Sequence, residues 1–486
     1  MGRWRSFLSL SLWLTLLPCL VLADHSFENT AIVRTVELGG SIVLVTTTYA
    51  IKALEDGSSV YTLALGEAEH EKTSWLEAKI KGQSSILPLE PAGESHGVHL
   101  YTVELPETLK AGSTANIVVE TVQTHSTYPW PQEASQKDSQ SLKWESDLFV
   151  LSPYETAVQR TKIRSPSPQI ISYTVPEQLE DYTLETPVTK SGSTLTYGPY
   201  KNIPPSANKQ FVSEKQKHIT VHFNYDHPVL EILKLHRAAE ISHWGGNLNI
   251  EDNIHMHNAG PRLKGHFARI EHQSQNFFNR PAPHVIPGLS INLPPGIHDV
   301  YYYDLVGNVS TSRLRVAPSV PKGSQSNQHS VLELKPRYPI LGGWNYSFTL
   351  GWDSPLSDSA GWDKKTGKWI VGIPIMTIIP GTVVDEAEVK IILPEGATDV
   401  EFYPPFPAKK YELGTHVTYL DTTGRPSITL QYNDLTEKHA GTIFVSYRVP
   451  FTAHLKKPFS VATAFIGVFI LAFVWKRVDI RVQKQK

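Results

Sequence analysis

Cysteine is all but missing from this chain of 486 residues: the single copy is Cys19. It falls in an N-terminal stretch expected to be removed, which leaves the mature protein without disulfide or thiol chemistry. A nucleophilic cysteine, a cysteine-rich zinc site and a redox role are thereby excluded. Strong charge of one sign is missing as well. A formal net charge of −2 and a sequence pI near 6.9 give no electrostatic argument for nucleic acid. No GxSxG elbow, HExxH helix, phosphate-binding glycine loop or dinucleotide fingerprint occurs. Acidic residues are spread so widely that no pair stands out as acid and base. An enzymatic reading therefore has no residue to rest on, and the expectation is a protein without catalytic, cofactor-binding or metal-binding residues.

Long apolar runs are scarce, and the two that exist organise everything else. Phe459–Trp475 (FSVATAFIGVFILAFVW) holds no charge. Seventeen helical residues span roughly 26 Å, close to the roughly 27 Å core of the endoplasmic reticulum bilayer. Ala462, Ala464, Gly467 and Ala472 would let another helix approach closely. At the other end, Arg3 and Arg5 precede the apolar run Phe7–Leu17 and the small residues up to Ala23. These are the three regions of a secretory signal peptide, with cleavage expected between Ala23 and Asp24. A cleaved signal and one late span predict a single-pass type I protein with its bulk in the lumen or outside. The tail agrees, since Lys476, Arg477, Arg481, Lys484 and Lys486 outweigh Asp479. Lys456 and Lys457, on the other flank, argue weakly against this orientation.

Between the two runs lie more than four hundred residues, enough for two domains. Their pattern is β: Ala31–Ala50 reads as strand, Gly-Gly turn, strand, and similar segments follow throughout. The expected layout is a signal peptide at 1–23, lumenal β-sandwich-like domains at 24–228 and 229–455, a transmembrane helix at 459–475 and a short basic cytosolic tail at 476–486. Pro228–Ile241 carries some helical periodicity. Tyr128–Ser141 reads as a polar loop, and Gly307-Asn308 as a hairpin turn. Two internal echoes appear. Arg34, Glu37 and Gly39-Gly40 are answered by Arg237, Glu240 and Gly245-Gly246, and LPPGIHDVYYY (293–303) by LPEGATDVEFY (393–403). In the second echo a Pro-Gly turn launches a strand.

Candidate sites are few. Asn308-Val-Ser310 and Asn345-Tyr-Ser347 are the only glycosylation sequons. His255 and His257 would share a strand face and could offer two metal ligands, but no third ligand stands at a familiar spacing. Trp244, Trp344, Trp352, Trp362 and Trp369 suit core packing, and less so Trp362, in a polar loop.

Several segments carry a family resemblance: SPYETAVQRTKIRSPSPQIISYT (152–174), GPYKNIPP (198–205), HRAAEISHWGGNLNIEDNIHMHNAGPRLKGHFARIEHQ (236–273), DLVGNVSTS (304–312) and PRYPILGGWNYSFTLGW (336–352). In order, and with the signal, the late anchor and the missing lumenal cysteines, they resemble the ribophorin I family, a subunit of the endoplasmic reticulum oligosaccharyltransferase. The short tail looks like the fungal form. The resemblance implies a non-catalytic subunit of the complex that moves a preassembled oligosaccharide from dolichol diphosphate to Asn of Asn-x-Ser/Thr in nascent polypeptides. It implies that the subunit stabilises the complex and handles substrate, beside a multi-span catalytic subunit and a small two-span subunit. Composition alone leaves an alternative open: a lumenal lectin- or chaperone-like membrane receptor that works alone.

Overall fold

The computed structural model describes residues 26–184, 186–278, 282–319, 328–418, 421 and 423–477. The expected cleavage point at Ala23 and Asp24, and the tail beyond Arg477, lie outside them. Among the described residues the protein is mostly β, with a single long apolar helix, Phe451–Arg477, near its C-terminal end. Strand formation follows composition. In Ile42–Ala53 the mainly β-branched sequence alternates, so that Val43, Val45, Tyr49, Ile51 and Ala53 turn into the core.

Two large sheets share one plan. The first runs in the order Val188–Ser191, Thr194–Ile203, Thr156–Arg164, Phe27–Glu37, Ile42–Ala53, Thr114–Thr124, Thr73–Ile80. The second runs Lys410–His416, Arg425–Leu435, Val383–Ile392, Leu230–Ser242, Asn247–Asn258, Asn345–Pro355, His298–Asp304, with Gly307–Asn308 added at the edge. In both, the fourth strand pairs in parallel with the third, and the other neighbours are antiparallel. The short echo between Arg34 and Arg237 thus extends to a whole sheet. Smaller sheets cover the inner faces. Trp144 and Phe223 pack with Val43 and Val45 in the first half, and Val371 and Val445 with Val389 and Leu430 in the second.

The two arginines show how the copies have diverged. Arg34 faces Thr47 across the hairpin and donates from Nη2 to the carbonyls of Asp147 (2.6 Å) and Leu148 (3.1 Å). Arg237 faces Asp252 instead. Its Nε and Nη2 grip both carboxylate oxygens at 2.7 and 2.6 Å, and both side chains are wholly buried.

The halves are clasped on two sides. Glu133–Ala134 pairs in parallel with Arg262–Leu263, and the Gln136 amide exchanges hydrogen bonds with the backbone of Ala268. Elsewhere His125 lies between Glu231 (3.3 Å) and Asp385 (3.0 Å), and Lys438 reaches Glu120 at 3.0 Å. Asp385 and Glu231 together push His125 up to about 10.

Three sequence expectations are corrected. Pro228–Ile241 is not helical; Leu230–Ser242 is a strand, and a register shift between Ile232 and Lys234 breaks its period of two into something resembling a helical one. The stretch Tyr128–Ser141 contains strand residues, in Thr127–Pro129 and Glu133–Ala134. Gly307-Asn308 is not the turn itself but the returning strand, pairing with Asp304 and Tyr303. The turn falls at Leu305-Val306, where the Asp304 carboxylate accepts from the backbone of Val306 and Gly307.

Candidate functional site

The long helix does not begin where the apolar stretch does. It covers 27 residues, or about 40 Å, and starts eight residues before Phe459. Strand Thr442–Arg448 leads directly into it, and the backbone of Ala453 donates to the Pro450 carbonyl at 2.9 Å. Its first two turns lie against the end of the second β half, and each contact has a physical reason.

Pro458 sits inside the helix. It has no N–H to give the carbonyl four residues earlier, that of His454. Trp244 supplies the missing donor: its indole Nε1 lies 3.0 Å from the His454 oxygen. Trp244 comes from the turn that joins Leu230–Ser242 to Asn247–Asn258, where Gly246 takes a φ of +64°. Beside it, His243 bonds the Tyr447 hydroxyl at 2.9 Å, and its ring lies 4.9 Å from Trp369 and 5.8 Å from His454. Burial, with His454 adding to it, pushes His243 down to about 4.

The two lysines before the apolar stretch are also engaged. Lys457 lies 3.0 Å from Asp421, whose side chain is wholly buried. Asp421 accepts further bonds from the Thr418 backbone (2.8 Å), the Thr418 hydroxyl (2.6 Å) and Arg425 Nε (3.2 Å). Burial alone would raise this carboxyl, but the bonds from Thr418, Lys457 and Arg425 outweigh it and hold it far below the usual carboxylate range. Arg425 also pairs with Glu240, and Lys456 donates to the Thr423 hydroxyl at 3.2 Å. Ala453 packs on Gly396, where an added Cβ would lie 2.8 Å from its own. Gly396 is the glycine of the second LPxG echo. Its counterpart Gly296 seats Ser319 in the same manner. The cleft so formed couples the helix mechanically to the β body. Lys456 and Lys457, read from sequence as charges against the expected orientation, are structural pins of this junction.

The sequence-predicted residues lie elsewhere. His255 and His257 do share a face of Asn247–Asn258, but they bond across the sheet to Ser347 (2.9 Å) and Asn345 (2.5 Å). Among the described residues neither joins a group of three or more metal-capable side chains. Asn308 and Asn345 are both exposed. Trp352 is buried in the core, Trp344 and Trp369 are half-buried, and Trp244 and Trp362 stand 66% and 50% exposed; Trp362 lies not in a loop, as expected, but in strand Ala360–Asp363, opposite Trp369. Sequence reasoning missed the roles of Trp244, Asp421 and Gly396. The one available signal was Pro458 just before the apolar stretch, which calls for an outside donor to His454 once the helix extends upstream of it.

The fold and this junction define a class: a large two-part β body rooted, among the described residues, on one helix long and apolar enough to cross a membrane. A family model described as Ribophorin I matches residues 27–476, and the chain belongs to the Ribophorin I family. It is 30% identical to dolichyl-diphosphooligosaccharide–protein glycosyltransferase subunit 1B of Oryza sativa subsp. japonica, over 84% of this chain and 79% of that one. Identity to subunit 1A of Arabidopsis thaliana is 29%, over 97% and 74% of the two chains. For subunit 1 of Caenorhabditis elegans it is 28%, over 94% and 74%. Among solved structures, native leukotriene A4 hydrolase from Saccharomyces cerevisiae is similar over 41% of this chain and 29% of that one, at 10% identity and a TM-score of 0.26.

Proposed function

We propose that this chain is a non-catalytic subunit of an oligosaccharyltransferase complex, which transfers a preassembled oligosaccharide from dolichol diphosphate to asparagine in nascent chains. The observation that carries this reading is similarity over nearly the whole chain to proteins named as subunit 1 of that glycosyltransferase. Within the complex the chain is read as a stabilising and substrate-handling member of the endoplasmic reticulum membrane. Its β body stands in the lumen, and the reacting groups belong to a multi-span partner, with a small two-span subunit alongside. The pinned helix junction supports a scaffolding role, because a body tied rigidly to its anchor holds a defined position beside membrane-embedded partners.

Further parts of the reading concern the chain itself. Cleavage falls between Ala23 and Asp24, and the tail from 476 is cytosolic. The pairing of Lys457 with the Asp421 carboxylate supports that orientation by offsetting one of the two charges that argue weakly against it. The two lumenal units divide near Pro228. In support, among the described residues every sheet except the pair Glu133–Ala134 with Arg262–Leu263 draws all its strands from one side of that point. Asn308 and Asn345 are the glycan acceptors, a role for which their exposure qualifies them. Purification of the full chain in mild detergent, with partners identified by mass, tests the central claim. Fixed-ratio recovery of a multi-span glycosyltransferase and small membrane subunits is the expected result. Arrival of the folded, glycosylated chain alone would refute it in favour of an independent receptor.

A further inference from the structure

Strand register brings several turns to the end of the second β half from which the helix leaves. Lys368–Pro374 runs antiparallel to Thr442–Arg448 with Trp369 opposite Tyr447, so the turn at 364–367 projects past the strand end. There Arg448 Nη2 donates to the Thr366 carbonyl at 2.9 Å. The turn carrying Trp244 meets His454, the turn carrying Gly396 meets Ala453, and Thr423 meets Lys456. These turns surround the helix base. They also present large apolar side chains to the outside: Trp244, Trp362 and Val417, with Phe451 of the helix itself. Trp362 is joined to the base by ring contacts, 5.2 Å to Trp369 and from there 4.9 Å to His243. Lys364 and Lys365 are exposed at the same tip.

The helix supplies a depth scale. Phe459, where the apolar stretch begins, lies five positions after His454, which Trp244 touches. At about 1.5 Å per residue that is roughly 7 Å, and the headgroup layer of a leaflet is roughly 5–7 Å thick. An indole, apolar with one N–H, partitions to that layer, and flanking lysines match its phosphates.

From this we infer that the helix-bearing end of the second β half is a membrane-contacting surface, with Trp244, Trp362 and the Lys364-Lys365 turn set into the phospholipid headgroups around the anchor. The inference rests on the reading of Phe451–Arg477 as a membrane span. It gives the β body a fixed height and face relative to the bilayer.

The test exploits the absence of cysteine after Cys19, which makes any introduced thiol unique in the mature chain. Trp362→Cys, Lys365→Cys, Leu305→Cys and Phe465→Cys are each made in the full-length chain and labelled with an environment-sensitive fluorophore. Each is reconstituted in phosphatidylcholine vesicles that carry a headgroup nitroxide, an acyl-chain nitroxide or neither. Leu305 is exposed at the opposite end of the same half, and Phe465 lies in the apolar helix. Labels at 362 and 365 are expected to be quenched severalfold more than the label at 305, and the label at 465 by acyl-chain nitroxide instead. Equal quenching at 362, 365 and 305, with 465 still buried in lipid, would overturn the inference and leave the span intact. Loss of acyl-chain quenching at 465 would overturn the span and the inference together. Labels at 362 and 365 shielded from headgroup nitroxide in the native complex would assign the surface to a protein partner and also overturn it.

Discussion

Changing Asp252 to asparagine keeps the side-chain shape and removes its charge. In the folded protein Arg237 and Asp252 have no solvent exposure and meet through two parallel hydrogen bonds. After the change Arg237 keeps the Pro374 carbonyl at 2.7 Å and the Thr377 hydroxyl, and it faces an amide with one acceptor in place of two. Breaking a buried pair by neutralising one partner strands the other charge at a cost of about 3–5 kcal/mol. For a unit of this size each kcal/mol moves the unfolding midpoint by roughly 2–4 °C, so a drop of roughly 6–20 °C is expected. Tryptophan fluorescence of the full chain in detergent follows it, since Trp352 lies 5.8 Å from the Arg237 guanidinium. Two comparisons isolate the cause. The exposed pair Arg315–Glu333, at 2.8 Å, should cost at most about 1 kcal/mol when broken by Glu333→Gln. The double change Arg237→Met with Asp252→Leu should recover most of the loss, because apolar replacements leave no stranded charge. If Asp252→Asn shifts the midpoint no more than Glu333→Gln, or if the double variant is as unstable as the single one, the stranded-charge argument is wrong.

Four further outcomes are expected. Gly396→Ala should destabilise by more than Gly367→Ala in denaturant titration: both have positive φ and pay roughly 1–2 kcal/mol of backbone strain, but only Gly396 also meets Ala453. Trp244→Phe removes the donor to the His454 carbonyl, worth about 1 kcal/mol, and should speed amide hydrogen exchange in 451–458 while leaving the core strands unchanged. Stability should fall on both sides of neutrality. His243 and His439, each pushed down to about 4, contribute stability above about 6.5 that is lost as pH falls toward 4. His125, pushed up to about 10, contributes stability below about 6.5 that is lost as pH rises toward 10, and His125→Gln should flatten this alkaline limb in denaturant midpoints. Asn308→Gln and Asn345→Gln should each increase gel mobility by one glycan, and the double variant should be insensitive to endoglycosidase.

Much of this molecule was legible in its sequence because the signals are local. Alternation in Ile42–Ala53 depends on the period of a strand, and the charge-free run Phe459–Trp475 on helical rise and bilayer thickness. The echoed LPxG turns carry their own backbone requirement, since Gly296 and Gly396 have φ of +72° and +80°, and Asp299 and Asp399 +51° and +52°. Where local pattern misled, a local irregularity was responsible, as with the register shift at Ile232–Lys234.

By itself, then, the sequence determined a β body without cysteine chemistry, an apolar segment of membrane length, two sequons and a repeated plan. Tertiary structure alone decided what the repeat, the lysines and the tryptophans do. Asp421 precedes Lys457 by 36 residues, and Trp244 precedes His454 by 210. Nothing in the periodicity of either segment encodes the other. Whether Lys457 marks a topology or pins a helix depends on which buried carboxylate the fold delivers to it. Likewise, whether Pro458 breaks a helix or is tolerated depends on a donor that only the packed turn at Trp244 brings within 3.0 Å.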